Sequence, residues 1–113
     1  MLVVKRDGRT VEFEAQRIRN AVERAFRAAG QEPDRELGPV VADIVDAVER
    51  GYVDRSPRVE EIQDIVEREL VHHGLYEVGK AYILYREERA HHRRERHQEL
   101  LKRANLGEIS VTK

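Results

Sequence analysis

Lys5 and Arg6 stand together near the tip of a predicted hairpin, in Val3-Val4-Lys5-Arg6-Asp7-Gly8-Arg9. Arg17 follows on the first turn of a predicted helix. Three cations gathered where a hairpin meets a helix N-terminus form a cradle for a polyphosphate. The first N–H groups of a helix are unpaired and lie at the positive end of its dipole. Lysine contributes a compact point charge to such an anion, and arginine a fork of hydrogen bonds. Lys80, at the opening of a later helix, adds a further cation. A charged Asp-Gly turn alone is ordinarily just a solvated turn, so the combination carries the weight.

Other chemistries find little support. His72-His73 and His91-His92 are adjacent pairs that splay about 100° apart on a helix, and no two histidines stand four residues apart. No metal held by protein ligands is expected from that spacing. Glu60-Glu61 and Glu87-Glu88 are likewise neighbours and cannot face each other as a general acid and base. No Ser/His/Asp set, P-loop or Gly-x-Gly-x-x-Gly occurs. The absence of cysteine excludes disulfides, thiolate chemistry and a zinc ribbon within this sequence, and suits a reducing, cytoplasmic setting. The reading is of a non-catalytic binding domain.

The elements that must position these residues follow from periodicity. Leu2–Lys5 and Val11–Phe13 are β-prone runs around Asp7-Gly8, a hairpin signal. Ile18, Ala21, Val22, Ala25, Phe26 and Ala29 repeat as an amphipathic helix that Gly30 stops. Leu37, Val40, Val41, Ile44, Val45 and Val48 make a second helix, starting at Asp34 or only at Pro39 and ending at Gly51. The connection Tyr52–Val59 has room for a short third strand near 57–59. Val59, Ile62, Ile65, Val66 and Leu70 form a third helix closed by Gly74, with Glu60 and Glu61 suited to its first turn. A fourth helix starts near Tyr76 and runs to about Arg103. Its apolar stripe stops after Tyr85, so residues 91–104 read as a polar helical extension projecting from the rest. Residues 105–113 read as a linker or the start of a following strand, with Ile109-Ser110-Val111-Thr112-Lys113 faintly echoing Leu2-Val3-Val4-Lys5. The fold class is α+β: an N-terminal hairpin covering four helices.

At 113 residues the length suits one domain with a modest core. Net charge is −1, so any anion site must be local. No apolar run approaches the roughly 20 residues of a membrane span. On the last helix Arg86, Arg89, Arg93, Arg94 and Arg96 are interleaved with Glu87, Glu88, Glu95 and Glu99, an alternation of solvent-facing helices, and nucleic acid is not an expected partner.

Three blocks now combine: Val3 to Phe13 with Arg17-Ile18 and Ala21; Val59-Glu60-Glu61-Ile62-Gln63-Asp64-Ile65-Val66-Glu67; and Val78-Gly79-Lys80-Ala81-Tyr82-Ile83-Leu84-Tyr85-Arg86-Glu87-Glu88-Arg89. In that order and spacing the chain resembles the ATP-cone family, the regulatory module at the N-terminus of many ribonucleotide reductases. The resemblance assigns residues 1–90 to a nucleotide-binding domain for ATP or dATP, carried with Mg²⁺. It implies that Lys5, Arg6 and Arg17 contact phosphates and that Val3, Val4 and Ile18 meet adenine, with Ala21 in the same motif. Val59, Ile62 and Gln63 would wall the base and sugar. A basic residue past Tyr85 joins the phosphate site in the family. Glu88 falls at that place here, with Arg89 beside it, and Lys80 and Arg89 complete the implied set. Many members carry lysine where Arg17 stands, and the Gln63 position varies among them. The implied mechanism is allosteric control, on with ATP and off with dATP, exerted on a reductase catalytic region or subunit through self-association. Two other roles fit the same resemblance: the cone of a transcriptional repressor of reductase genes acting with a separate DNA-binding part, and a degenerate cone serving as a helical interaction domain.

Overall fold

Hydrogen bonds at the first turn decide where the chain reverses. Gly8 N–H donates to Lys5 O at 3.0 Å and Lys5 N–H to Arg9 O at 2.7 Å. Arg6, Asp7 and Gly8 are therefore a three-residue loop, with Gly8 at φ 87 in the left-handed region such loops require. The Asp7 carboxylate accepts from Arg9 N–H at 3.0 Å and Arg9 Nε at 2.6 Å, and these bonds hold its pKa below the ordinary value. The flanking strands are β1 (Leu2–Val4) and β2 (Thr10–Glu12), antiparallel with Val3 opposite Val11.

Four helices follow in this computed structural model: α1 (Ala15–Ala28), α2 (Leu37–Gly51), α3 (Val59–His72) and α4 (Tyr76–Thr112). Side chains are described for residues 1–102, and the linker or strand start expected over 105–113 lies outside the described residues. The α+β class and the long last helix are as expected. The option of a third strand near 57–59 reduces to one parallel bridge between Val4 and Arg58, anchored by Val4 N–H to Pro57 O at 2.9 Å. Pro57 has no N–H to extend a ladder. The second helix starts at Leu37, between the two starts considered for it.

The chain divides into two units, Met1–Ile83 and Leu84–Lys113. In the first, α1 packs on α2 and α2 on α3. Val22, Phe26, Val40, Ile44, Val48, Leu70 and Val78 are the most deeply buried of its apolar side chains. No polar or charged residue is buried among the described residues. Two helices end alike. Gly30 (φ 76) and Gly74 (φ 72) take left-handed backbone, and the next residues, Gln31 and Leu75, donate back to Phe26 O and Leu70 O at 2.9 Å each. This is the Schellman ending that a glycine past the last turn permits. In the second unit the described side chains are mostly polar, apart from exposed Leu84, Leu100 and Leu101, with His91 Nε2 at 2.9 Å from Glu95 Oε1 and the Arg89 guanidinium 5.9 Å from the Tyr85 ring centre. No helix among the described residues is long and apolar enough to cross a membrane.

Glu61 fixes the start of α3. Its carboxylate accepts from Arg58 N–H at 3.0 Å, from the Tyr52 hydroxyl at 2.8 Å and from both Arg55 terminal nitrogens at 3.1 and 2.7 Å. Arg58 has no acceptor side chain, so the helix start is held from the Glu61 side. The Arg55 guanidinium also lies 4.6 Å from the Tyr52 ring centre. Arg55 above all, then the Arg58 and Tyr52 hydrogen bonds, lower the Glu61 pKa from 4.5 to about 2. A carboxyl with a depressed native pKa stabilises the fold above its unfolded value and ceases to as pH falls through the native one. Glu61→Gln is therefore expected to lower the melting temperature at pH 7, with the gap to wild type closing between pH 4.5 and about 2. Thermal unfolding by circular dichroism across that range checks it, and a gap independent of pH would contradict it.

Candidate functional site

Strand alternation sorts the hairpin residues before any ligand is considered. Side chains two apart share a face, so Val3 and, just past the strand, Lys5 point one way and Val4 the other, while Arg6 belongs to the loop. Val3 is buried, and its cross-strand partner Val11 follows it inward. The inward face, α1, α3 and Tyr82 of α4 line an open-sided cavity of about 220 Å³. From α1 come Arg17, Ile18 and Ala21. From α3 come Val59, Ile62, Gln63 and Val66, at the spacing of one helical face.

Of the expected site residues, Val3, Lys5, Arg17, Ile18, Ala21, Val59, Ile62 and Gln63 thus converge on one cavity. Val4, Arg6 and Lys80 lie outside its lining. Val4 is held by its backbone to Pro57, and Arg6 pairs at 3.5 Å with Glu60 on α3. Lys80 is exposed, and Arg89 belongs to the second unit. Residues that were not anticipated complete the lining: Val11, Glu12, Phe13, Glu14, Val66 and Tyr82. Val11 and Val66 were available from register and period, once Val3 and Ile62 were assigned inward. Glu12 and Glu14 carried no such signal.

Two features give the cavity chemistry. Gln63 Oε1 is buried and accepts no hydrogen bond among the described residues. Buried polar atoms are nearly always paired, so this oxygen is a seat for a donor. At the other side Lys5 is half-buried with no ion-pair partner among the described residues, while Arg17 Nε is held by Glu14 at 3.0 Å. Glu14 flanks α1 with extended backbone and makes no side-chain cap, so the first N–H groups of α1 lack a side-chain acceptor. The arrangement combines apolar walls, one unmet acceptor and a cationic edge at a helix start.

A carboxylate beside Arg17 competes with any incoming anion. Removing it as Glu14→Gln is expected to tighten binding of inorganic tripolyphosphate by about two- to fivefold, the range of an exposed ion pair. The gain should shrink at high salt. Calorimetry at low and high ionic strength measures both, and an unchanged affinity at low salt would show that Arg17 does not face the anion.

Comparisons with known proteins show the family. The family model described as an ATP cone domain matches residues 1–91. A vitamin B12-dependent ribonucleoside-diphosphate reductase of Mycobacterium tuberculosis (strain CDC 1551 / Oshkosh) is 45% identical over 89 residues, covering 78% of this chain and 12% of its own length. The ribonucleoside-diphosphate reductase subunit alpha of Chlamydia pneumoniae is 38% identical over 104 residues, or 86% of this chain and 10% of that protein. An anaerobic ribonucleoside-triphosphate reductase of Haemophilus influenzae is 36% identical over 99 residues, or 85% and 13%. The chain thus spans about a tenth of the length of the curated relatives it matches.

Proposed function

The chain belongs to the ATP-cone family, and on that premise we propose that its cavity binds ATP or dATP as a regulatory effector of a ribonucleotide reductase. The observation that carries this reading is the convergence of β1, α1 and α3 on one apolar cavity, with a lysine at its edge that has no ion-pair partner among the described residues. At about 220 Å³ the space is smaller than the roughly 300 Å³ of a drug-sized pocket. It suits a base and part of a sugar, with the phosphates outside at Lys5, Arg17 and the start of α1. Val3, Ile18, Val59 and Ile62 supply flat apolar contact, and Phe13 an aromatic face. Gln63 Oε1 takes a hydrogen bond from an adenine amino or ribose hydroxyl group. Arg6 joins the phosphates by exchanging Glu60 for them.

The role is regulatory and non-catalytic, in the cytoplasm, with the nucleotide arriving as its Mg²⁺ complex. ATP and dATP differ by one hydroxyl, and they can steer a reductase only through different affinities for its alternative assemblies. Self-association of the domain and contact with the reductase catalytic region would transmit the difference.

Calorimetry with MgATP and MgdATP, followed by sizing, tests this reading. Both nucleotides are expected to bind, with different oligomer distributions. Lys5→Ala should weaken each by about ten- to a hundredfold, the worth of a charge-assisted bond. Binding of neither nucleotide would overturn the proposal. Equal binding to the Lys5→Ala variant would remove Lys5 from it.

A further inference from the structure

The packing of α2 on α3 brings together three ligand-type side chains away from the nucleotide cavity. Glu69 and His73 are four residues apart, so they share one face at the end of α3. Asp43, on α2, meets them from the neighbouring helix. One ligand atom from each of the three lies within 4.8 Å of the other two. His73 Nε2 and Asp43 Oδ2 are in hydrogen-bond contact at 2.7 Å. His73 is placed by its own backbone, whose N–H donates to Glu69 O at 3.0 Å as the cap of α3. Histidine spacing along one helix could not reveal this set, because the third member comes from thirty residues away.

We propose that Asp43, Glu69 and His73 form a binding site for one divalent transition-metal ion of the zinc class, with water as the fourth ligand. Tetrahedral zinc with bonds of about 2.1 Å sets its ligand atoms about 3.4 Å apart. The observed cluster brackets that spacing: the His73–Asp43 contact opens slightly and Glu69 closes in. An imidazole among two carboxylates favours zinc, nickel, copper or cobalt over magnesium and calcium, which take oxygen alone. The side chains are accessible, at 59% exposure for Asp43, 27% for His73 and 16% for Glu69. Two neighbours bear on affinity. His72 Nδ1 lies 3.7 Å from Glu69 Oε1 and competes for that carboxylate when charged, and Arg68 Nε, 4.0 Å from the same oxygen, opposes the ion. The bound ion would clip the end of α3 to α2. It thereby stabilises the helix that carries Gln63, whether or not nucleotide is present.

The test uses the full chain, stripped with a chelator and free of nucleotide. It is titrated with Zn²⁺ in competition with a chromophoric chelator, and separately with Co²⁺ while the visible absorption is recorded. One ion per chain, tetrahedral cobalt bands and a raised melting temperature are expected. Asp43→Asn and His73→Asn should each weaken Zn²⁺ binding by at least about tenfold. Asp43 is exposed, so its variant should keep the wild-type far-UV spectrum and remain informative if His73→Asn unfolds. A control variant, His91→Ala with His92→Ala, should bind as wild type. Absence of binding, an Asp43→Asn affinity equal to wild type, or loss of binding in the control would overturn the proposal.

Discussion

One carboxylate, that of Glu61, sets the frame in which the cavity is built. It gathers the phenol at the end of α2, a guanidinium in the connection and the backbone at the start of α3. Because α3 begins where Arg58 is held, Val59, Ile62, Gln63 and Val66 fall on the face that closes the cavity. The same connection reaches β1 through Pro57 O and Val4 N–H. The hairpin and the third helix are thus registered to each other by the segment Glu61 anchors. The bonds are charge-assisted and accept at both carboxylate oxygens, which is the stronger class of hydrogen bond.

Much of the fold was legible in the sequence, since periodicity and stop signals speak directly of local structure. The stripes at Ile18, Val22, Ala25 and Phe26 and at Val40, Ile44 and Val48 became the core. Gly30 and Gly74 ended helices because their backbones must turn left-handed. The site was legible in part. Val3 and Lys5 were placed with Val4 and Arg6 as a block, yet only the first two line the cavity, since pleating turns Val4 to the other face and Arg6 lies in the loop. Motif resemblance does not resolve that alternation, but strand register does. Glu60 was silent for another reason, since its ion pair with Arg6 joins distant elements through packing that no local pattern encodes, whereas Glu14 pairs with Arg17 only three residues on.

Those two carboxylates change how the cationic edge behaves. Arg6 and Arg17 are each neutralised by a partner within the protein, at 3.5 and 3.0 Å. The cluster therefore stands without the self-repulsion that three bare cations would suffer. An anion arriving there exchanges one ion pair for another, and its net gain is the difference between them. Lys5, with no ion-pair partner among the described residues, exchanges no such bond when an anion arrives.

The hairpin above the cavity is a ribbon of two strands with three residues each. Such a ribbon does not persist alone in water. Here it rests on the burial of Val3, the packing of Phe13 after it, the bond to Pro57 and the Arg6–Glu60 pair. The helices beneath it keep a continuous core of their own. Local opening free energies in a protein range from near zero up to that of global unfolding, and the ribbon belongs at the lower end. The open-sided cavity consequently adjoins the element that detaches with least work, so its rim can loosen while the helical scaffold stays folded.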